Sequence, residues 1–355
     1  MSQIALTGDP ADVLGRLDKD RRLVPYGGAN FGTTLNELLP DLPLVVPTDR
    51  MFVRSNGPVP VIDPATFRLA VDGEVERPLS LSLADLRAMP QVEFQAFLEC
   101  AGNGRTRFDP VPEGTPWRND AIGNVVWSGV PLRVVLDLAG VRDTAVDLVT
   151  QGGDFPEMQR GLPLAVGRQA DTLLALRMNG EPLLIAHGGP LRLLVPGWAG
   201  IASTKWLTGV TAVDRPFAGF WNSDNYVVWD RAGAALRPVA EMPPKSQIVL
   251  PAAGSSLPAG ATTIAGYAWS GYAPIAAVEV RVDNGPWFPA PFEQPGPRAW
   301  AKFSVAWEAT PGRHVLASRA VDARRLTQPE RAAWNKKGYQ QNGVLDVAVS
   351  VEPQR

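Results

Sequence analysis

Apolar positions in this chain fall in short runs and alternations rather than along extended helical faces. Residues 92–98 are mostly apolar and predict a buried strand. Residues 67–73 alternate and end in Asp72-Gly73, the pattern of a half-buried strand closing in a turn. Residues 146–149 predict a strand that runs into Gln151-Gly152-Gly153-Asp154. Between 172 and 184, two apolar runs flank Asn179-Gly180, a pair suited to the tip of a two-residue hairpin. Helical signals are few. Ser82-Leu83-Ala84-Asp85 opens a short helix that stops before Pro90. Residues 131–139 predict a second, with proline at its start and Gly140 just past its end. Residues 1–50 read as an arm lying over the first domain, because Pro40, Pro43 and Pro47 interrupt regular structure.

A proline-rich stretch, Arg237-Pro238 through Met242-Pro243-Pro244, reads as a linker. Beyond it the pattern changes to strands at 246–250, 262–269, 276–282, 300–307, 314–321 and 344–351, with Asp283-Asn284-Gly285 as a hairpin turn. Such spacing predicts a β-sandwich of immunoglobulin type. The expected organisation is an arm over 1–50, a mixed α/β domain over 51–240 and the sandwich over 241–355, an α+β chain as a whole.

The 355 residues suffice for two separate cores. A net charge of −2, with dispersed Lys and Arg, gives no nucleic-acid footprint. No apolar run reaches the length of a membrane span. The N-terminus lacks an export pattern, so the expectation is cytoplasmic as the sequence stands, or periplasmic if a signal has been removed. One cysteine excludes an intrachain disulfide, and two histidines, His187 and His314, exclude a His-rich metal site. There is no Cys-x-x-Cys-His for a c-type haem, no P-loop and no strand-anchored G-x-G-x-x-G.

Cys100 ends the 92–98 strand, in Glu99-Cys100-Ala101-Gly102-Asn103-Gly104-Arg105, with Arg107 close behind. Neighbouring positive charge favours a thiolate, which serves as nucleophile or as ligand for a soft metal. The alternative is a buried cysteine acting as a small hydrophobe. Its Gly, Asn and Arg neighbours form a polar, backbone-exposing turn rather than core.

This stretch resembles the cysteine loop of the sulfite oxidase family of molybdenum enzymes. There the cysteine ligates molybdenum, which is also held by the dithiolene of one pterin. Further motifs come in the family's order. Phe52-Val53-Arg54-Ser55-Asn56 resembles the segment whose arginine faces the oxyanion substrate and whose neighbours touch the pterin, although the family often has Asn-His where this chain has Ser55-Asn56. Trp117 matches a pocket-lining tryptophan, and Asp154 a pterin-contacting position. His187-Gly188-Gly189-Pro190-Leu191-Arg192, then Ser203 and Lys205-Trp206-Leu207, resemble the part that binds the pterin phosphate. A buried phosphate needs charge-assisted donors, and His, Arg and Lys supply them. Trp221-Asn222-Ser223-Asp224-Asn225-Tyr226 resembles the segment whose tyrosine reaches the metal centre, with Asn225 where aspartate is usual. Gly266-Tyr267-Ala268-Trp269-Ser270-Gly271 and Trp334-Asn335-Lys336-Lys337-Gly338 resemble the family's C-terminal dimerisation domain.

The resemblance implies a molybdopterin-binding domain without a haem domain, one molybdenum per chain, and a homodimer. It implies oxidation of sulfite to sulfate by oxygen-atom transfer, with electrons passing to an external acceptor, a cytochrome c-type protein or oxygen. Cys100 would be the metal ligand, and Arg54, Arg105 and Lys337 would hold the oxyanion. Lys337 stands where a third arginine is usual and lacks the guanidinium fork. Tyr226 would hydrogen-bond near the reacting oxygen and Trp117 would line the pocket. The alternatives are a related molybdenum enzyme that reduces nitrate or a sulfoxide, and a non-catalytic protein that sequesters the pterin or docks a partner.

Overall fold

Strand pairing divides the chain at the proline-rich stretch. The computed structural model describes residues 2–38 and 40–353; Met1, Leu39, Gln354 and Arg355, which belong to the expected arm and sandwich, lie outside the described residues. Strands up to Ala235–Pro238 pair only with one another, and those from Lys245–Leu250 onward pair only among themselves. On that partition we propose the limits 51–240 and 241–355 for the two domains.

The first domain carries two five-stranded sheets. In one, Leu207–Val213 lies parallel to Leu69–Gly73 and antiparallel to Asp147–Gly152. In the other, Val92–Glu99 pairs with Ile122–Pro131, placing Glu99 opposite Ile122. Ile122–Pro131 pairs in turn with Leu173–Met178. At the hairpin tip, Asn179 and Gly180 both take positive φ, 53° and 81°, as a type I′ turn requires. The helix Leu83–Ala88 has the expected capping box, with Ser82 and Asp85 each bonding the other's backbone N–H. The helix Leu132–Ala139 buries Leu132, Val135, Leu136 and Ala139 against the first sheet and ends at left-handed Gly140.

The arm is more ordered than its prolines suggested. It contains the helix Pro10–Arg16, whose N-cap Asp9 accepts from the Ala11 amide and whose first residue is proline. That signal is local and legible: a capping aspartate followed by proline at the first helical position. Residues 40–47 carry no helix or strand, as Pro40, Pro43 and Pro47 imply. Leu14, Leu17, Phe31 and Val46 of the arm are buried in the same core as Phe97 and Ile122. The arm is therefore part of the first domain's interior and not a cover laid over it.

Two sheets of four and five strands form the sandwich, an immunoglobulin-like arrangement built on Gly260–Trp269, Ala301–Ala309, Gly312–Asp322 and Leu345–Glu352. Ile264, Val278, Phe303 and Leu316 fill its core. The expected linker begins inside a strand, because Ala235–Pro238 pairs with Val227–Trp229. The rest of it is packed, with Val239 and Met242 buried.

The aromatic motif at 266–271 turns inward, toward the first domain of the same chain. Tyr267 stacks on Trp300 at 3.7 Å and donates to the Pro43 carbonyl at 2.8 Å. Trp300 Nε1 donates to the Leu44 carbonyl at 2.9 Å. A Cβ on Gly271 would meet the Gly197 carbonyl oxygen at 1.9 Å, so only glycine admits this close approach of the two domains. Between them lies a buried ion pair, Glu99 with Lys245, 3.7 Å apart and each about 1% exposed. Trp269 Nε1 and Asn103 Nδ2 each donate to the Glu99 carboxylate at 2.8 Å.

Removing one member of such a pair leaves a charge buried without its partner, at a typical cost of about 3–5 kcal/mol. Lys245→Met should therefore lower the denaturation midpoint strongly, and adding Glu99→Gln to it should recover much of the loss. A Lys245→Met protein as stable as the parent would show that the pair does not hold the domains together.

Candidate active site

The strand Val92–Glu99 delivers Cys100 into a tightly fixed turn. The Cys100 amide donates to the Ala121 carbonyl at 2.9 Å, and its carbonyl accepts from Asn103 N at 2.9 Å. Asn103 is itself pinned, its side chain bonded to Glu99 and to the Ala121 amide. The thiol is buried but borders two cavities, of about 670 and 650 Å³ of empty space. Arg54 and Tyr226 line both cavities with it.

The first cavity gathers Phe52, Arg54, Ser55, Asn56, Asp154, His187, Arg192, Ser203 and Lys205, drawn from four separate parts of the chain. Val53 is not among its linings. Its backbone bridges to Phe31 and its side chain is wholly buried in the core. Arg192 donates to the carbonyls of His187 and Ser203, at 3.0 and 2.9 Å, and burial pushes it down to about 9. Lys205 donates to Ser55 Oγ at 2.6 Å and to the Ala186 carbonyl at 3.0 Å. Burial, then the charge of Arg192, hold it well below its ordinary value, with Asp154 opposing them. Gly188 has a φ of +96°, and a Cβ there would meet the Lys205 Cβ at 2.8 Å. This glycine lets the two cavity-lining segments touch.

The second cavity gathers Arg105, Trp117 and Lys337 with the shared trio. Arg105 Nε donates to the Lys337 carbonyl at 3.0 Å, so the two cationic segments are hydrogen-bonded to each other. Trp117 is fully buried against Tyr26, at 4.6 Å between rings. Arg54 is charged more firmly than a free arginine: burial opposes its charge, but Tyr226 and Cys100 outweigh it. Arg107 does not join the thiol; it is exposed and borders a separate groove with Arg231. The guanidinium beside the cysteine is Arg54, distant in sequence and near in space.

Tyr226 occupies left-handed backbone, with φ of 51°, and its hydroxyl donates to Asn56 Oδ1 at 3.2 Å. Such a conformation in a bulky residue is strained and is found disproportionately at functional sites. Asn225 holds it there, its side-chain oxygen accepting from the Tyr226 amide at 3.1 Å and from the Tyr339 hydroxyl at 2.8 Å. Either oxygen of an aspartate could accept these bonds, so Asn225 keeps that acceptor role. Tyr339 stacks on Tyr226 at 5.1 Å and lies under Arg105. Sequence reading missed it, although it comes two positions after Lys337. It also missed Lys19, whose ammonium lies 2.9 Å from His187 Nε2.

Comparison with known proteins gives two family matches: the oxidoreductase molybdopterin binding domain over residues 56–221, and the Mo-co oxidoreductase dimerisation domain over 237–352. The chain is 36% identical over 331 residues to sulfite oxidase of Gallus gallus, covering 83% of this chain and 70% of that protein. It is 35% identical to the mitochondrial sulfite oxidase of Rattus norvegicus, covering 87% of this chain and 62% of that one. Among solved structures, the sulfane dehydrogenase SoxCD of Paracoccus pantotrophus superimposes with a TM-score of 0.80 at 29% identity, over 91% of this chain and 86% of that one.

These matches imply a molybdenum–molybdopterin cofactor, and the residues present fit one. Asp154 Oδ1 is buried without a hydrogen-bond partner among the described residues, beside the first cavity, and burial pushes its carboxyl up to about 6. Arg192 and Lys205 crowd the same space at an electrostatic cost that a bound anion would relieve. Among the described residues no group of three or more His, Cys, Asp or Glu side chains could hold a metal by itself.

His187 supplies a pH test. Burial, then the charge of Lys19, holds its folded pKa well below 6.5. Below that pH the unfolded chain binds a proton that the folded chain refuses, so this group makes stability fall as pH drops through 6.5. His314 acts oppositely: a hydrogen bond to Asp283 raises its pKa, so its contribution is full at low pH and lost as pH rises. In the cofactor-free protein, His187→Gln should flatten the acid side of the melting-temperature profile between about pH 5 and 7. Parallel profiles for the two proteins would show that His187 is not held neutral by the fold.

Proposed function

The chain belongs to the sulfite oxidase family of molybdopterin-dependent oxidoreductases, and from that premise we propose that it oxidises sulfite to sulfate and passes the electrons to an external acceptor. One observation carries this reading: Cys100 stands where a cavity lined by buried His187, Arg192 and Lys205 meets a second cavity lined by the cations Arg54, Arg105 and Lys337. Three cationic side chains around a small space suit a small oxyanion, and the orphaned acceptor and crowded donors of the first cavity suit a phosphate-bearing pterin.

When bound, the molybdenum cofactor supplies the oxygen-atom transfer and the two-electron redox change. The overall conversion adds one oxygen, ultimately from water, to sulfite and releases two electrons and two protons. The protein's part is positioning and electrostatics. Cys100 would hold the metal. His187, Arg192, Ser203, Lys205 and Asp154 would hold the pterin, with Phe52, Ser55 and Asn56 lining the same cavity. Arg54, Arg105 and Lys337 bind sulfite's oxygens and offset its charge. Tyr226 points a neutral hydroxyl at the junction, held there by Asn225 and Tyr339, and Trp117 closes the pocket wall. The sandwich mediates a two-fold dimer. Because Tyr267, Trp269 and Trp300 pack within one chain, the dimer contact uses another face of it.

The test is kinetic. Metal-loaded protein should carry about one molybdenum per chain and reduce an added acceptor only when sulfite is present. A charge-assisted hydrogen bond contributes roughly 1.5–3 kcal/mol, so Arg54→Gln or Arg105→Gln should raise KM for sulfite by about one to two orders of magnitude. Sulfate should compete, and Lys337→Arg should be tolerated. Unchanged KM values with no sulfate competition would remove the oxyanion pocket. Turnover with reduced dye plus nitrate or a sulfoxide, in place of sulfite, would favour the reductive alternative. Bound molybdenum with no turnover at all would favour a pterin-binding protein.

A further inference from the structure

The N-terminal arm brings one charged side chain to the wall of the cofactor cavity, and nothing in the proposed chemistry uses it. Lys19, only 6% exposed, reaches His187 across 168 positions of sequence, its Nζ lying 2.9 Å from Nε2. The same ammonium donates to the Thr48 carbonyl. That carbonyl is also 3.3 Å from His187 Nε2. His187 is 3% exposed and lines the first cavity, and among the described residues its Nδ1 has no hydrogen-bond partner.

We propose that Lys19 is a positioning residue that fixes the tautomer of His187, so that its Nδ1–H is presented as a neutral donor to the cofactor. Burial pulls Lys19 down to about 7, with Asp49 and Asp20 opposing it, so below that pH its Nζ is an ammonium that offers donors only; the Nε2 it faces then accepts, and the ring proton sits on Nδ1. Without Lys19, the Thr48 carbonyl becomes the partner of Nε2, which must then carry the proton. The ring would turn a lone pair toward an anionic group instead of an N–H. Lys19 also guards against the other failure, a doubly protonated ring beside Arg192 and Lys205, because its charge disfavours a second cation on His187. The inference rests on the cofactor reading above for the identity of what Nδ1 meets, but not for the tautomer itself.

Ring-nitrogen chemical shifts of histidine-labelled protein test it directly, since the chain has two histidines and His314→Gln identifies the other signal. At pH 6, where Lys19 is charged, His187 should show a protonated Nδ1 and an unprotonated Nε2 in both holoenzyme and cofactor-free protein. Lys19→Met should reverse the pattern, and Lys19→Arg, which keeps a cationic donor, should restore it. The Lys19→Met holoenzyme should also release its pterin about tenfold faster, the scale of one hydrogen bond. A protonated Nε2 in the parent, or an unchanged ring in Lys19→Met, overturns the assignment. A reversed ring with unaltered pterin release overturns the link to the cofactor. A purified protein that holds no pterin would sink the proposed function, while the ring assignment in that protein still stands or falls by itself.

Discussion

The buried pair of Glu99 and Lys245 is the constraint on which the rest of the molecule depends. Glu99 is the residue before the cysteine, and Lys245 begins the first strand of the sandwich. Neither charge can stay in so dry a place without the other. Trp269 and Asn103 complete the carboxylate's hydrogen bonds, and Asn103 in turn fixes the turn that carries Cys100. Docking the sandwich and shaping the cysteine loop are thus one event. The sandwich contributes more than a surface for association, because its Lys337 and Tyr339 line the second cavity.

The first cavity has the opposite character. Its charges are not balanced by the protein. Burial weakens the protonation of Lys205, Arg192 and His187, with repulsion adding to it at Lys205 and His187, while Asp154 stands close with one oxygen unpartnered among the described residues. A fold spends stability in this way at a binding site, where a ligand of complementary charge recovers it. The contrast separates the two polar clusters by purpose: one is saturated and structural, the other is incomplete until something binds.

Much of this was legible in the sequence where the signals are local. Alternation gave the strands of both domains, and the cap at Ser82, the Asn179-Gly180 tip and the Gly140 terminus all formed as read. The cysteine loop and the segment from His187 to Lys205 could be singled out because each resembles a motif of a known family at that family's spacing. What could not be read depends on contacts between distant positions. Arg107 is close to Cys100 in sequence but exposed, whereas Arg54 arrives from another loop. Lys19 sits among charged neighbours in a segment with nothing to mark it, and its meaning comes only from meeting His187. Tyr267 and Trp269 lie in the dimerisation domain, as their motif indicated, but their inward direction is decided by burial against Pro43 and Glu99. The overlooked helix Pro10–Arg16 is a different case: its cap was visible and was outweighed by prolines thirty residues away.

The measurement closest to the centre of this picture counts the sulfur neighbours of molybdenum. X-ray absorption at the molybdenum edge should find, in the native protein, the dithiolene sulfurs of the pterin and one additional thiolate sulfur. Cys100→Ala, purified with its pterin and metal retained, should lose one sulfur neighbour and no more. The same sulfur count in both proteins would mean that the chain's single cysteine does not hold the metal.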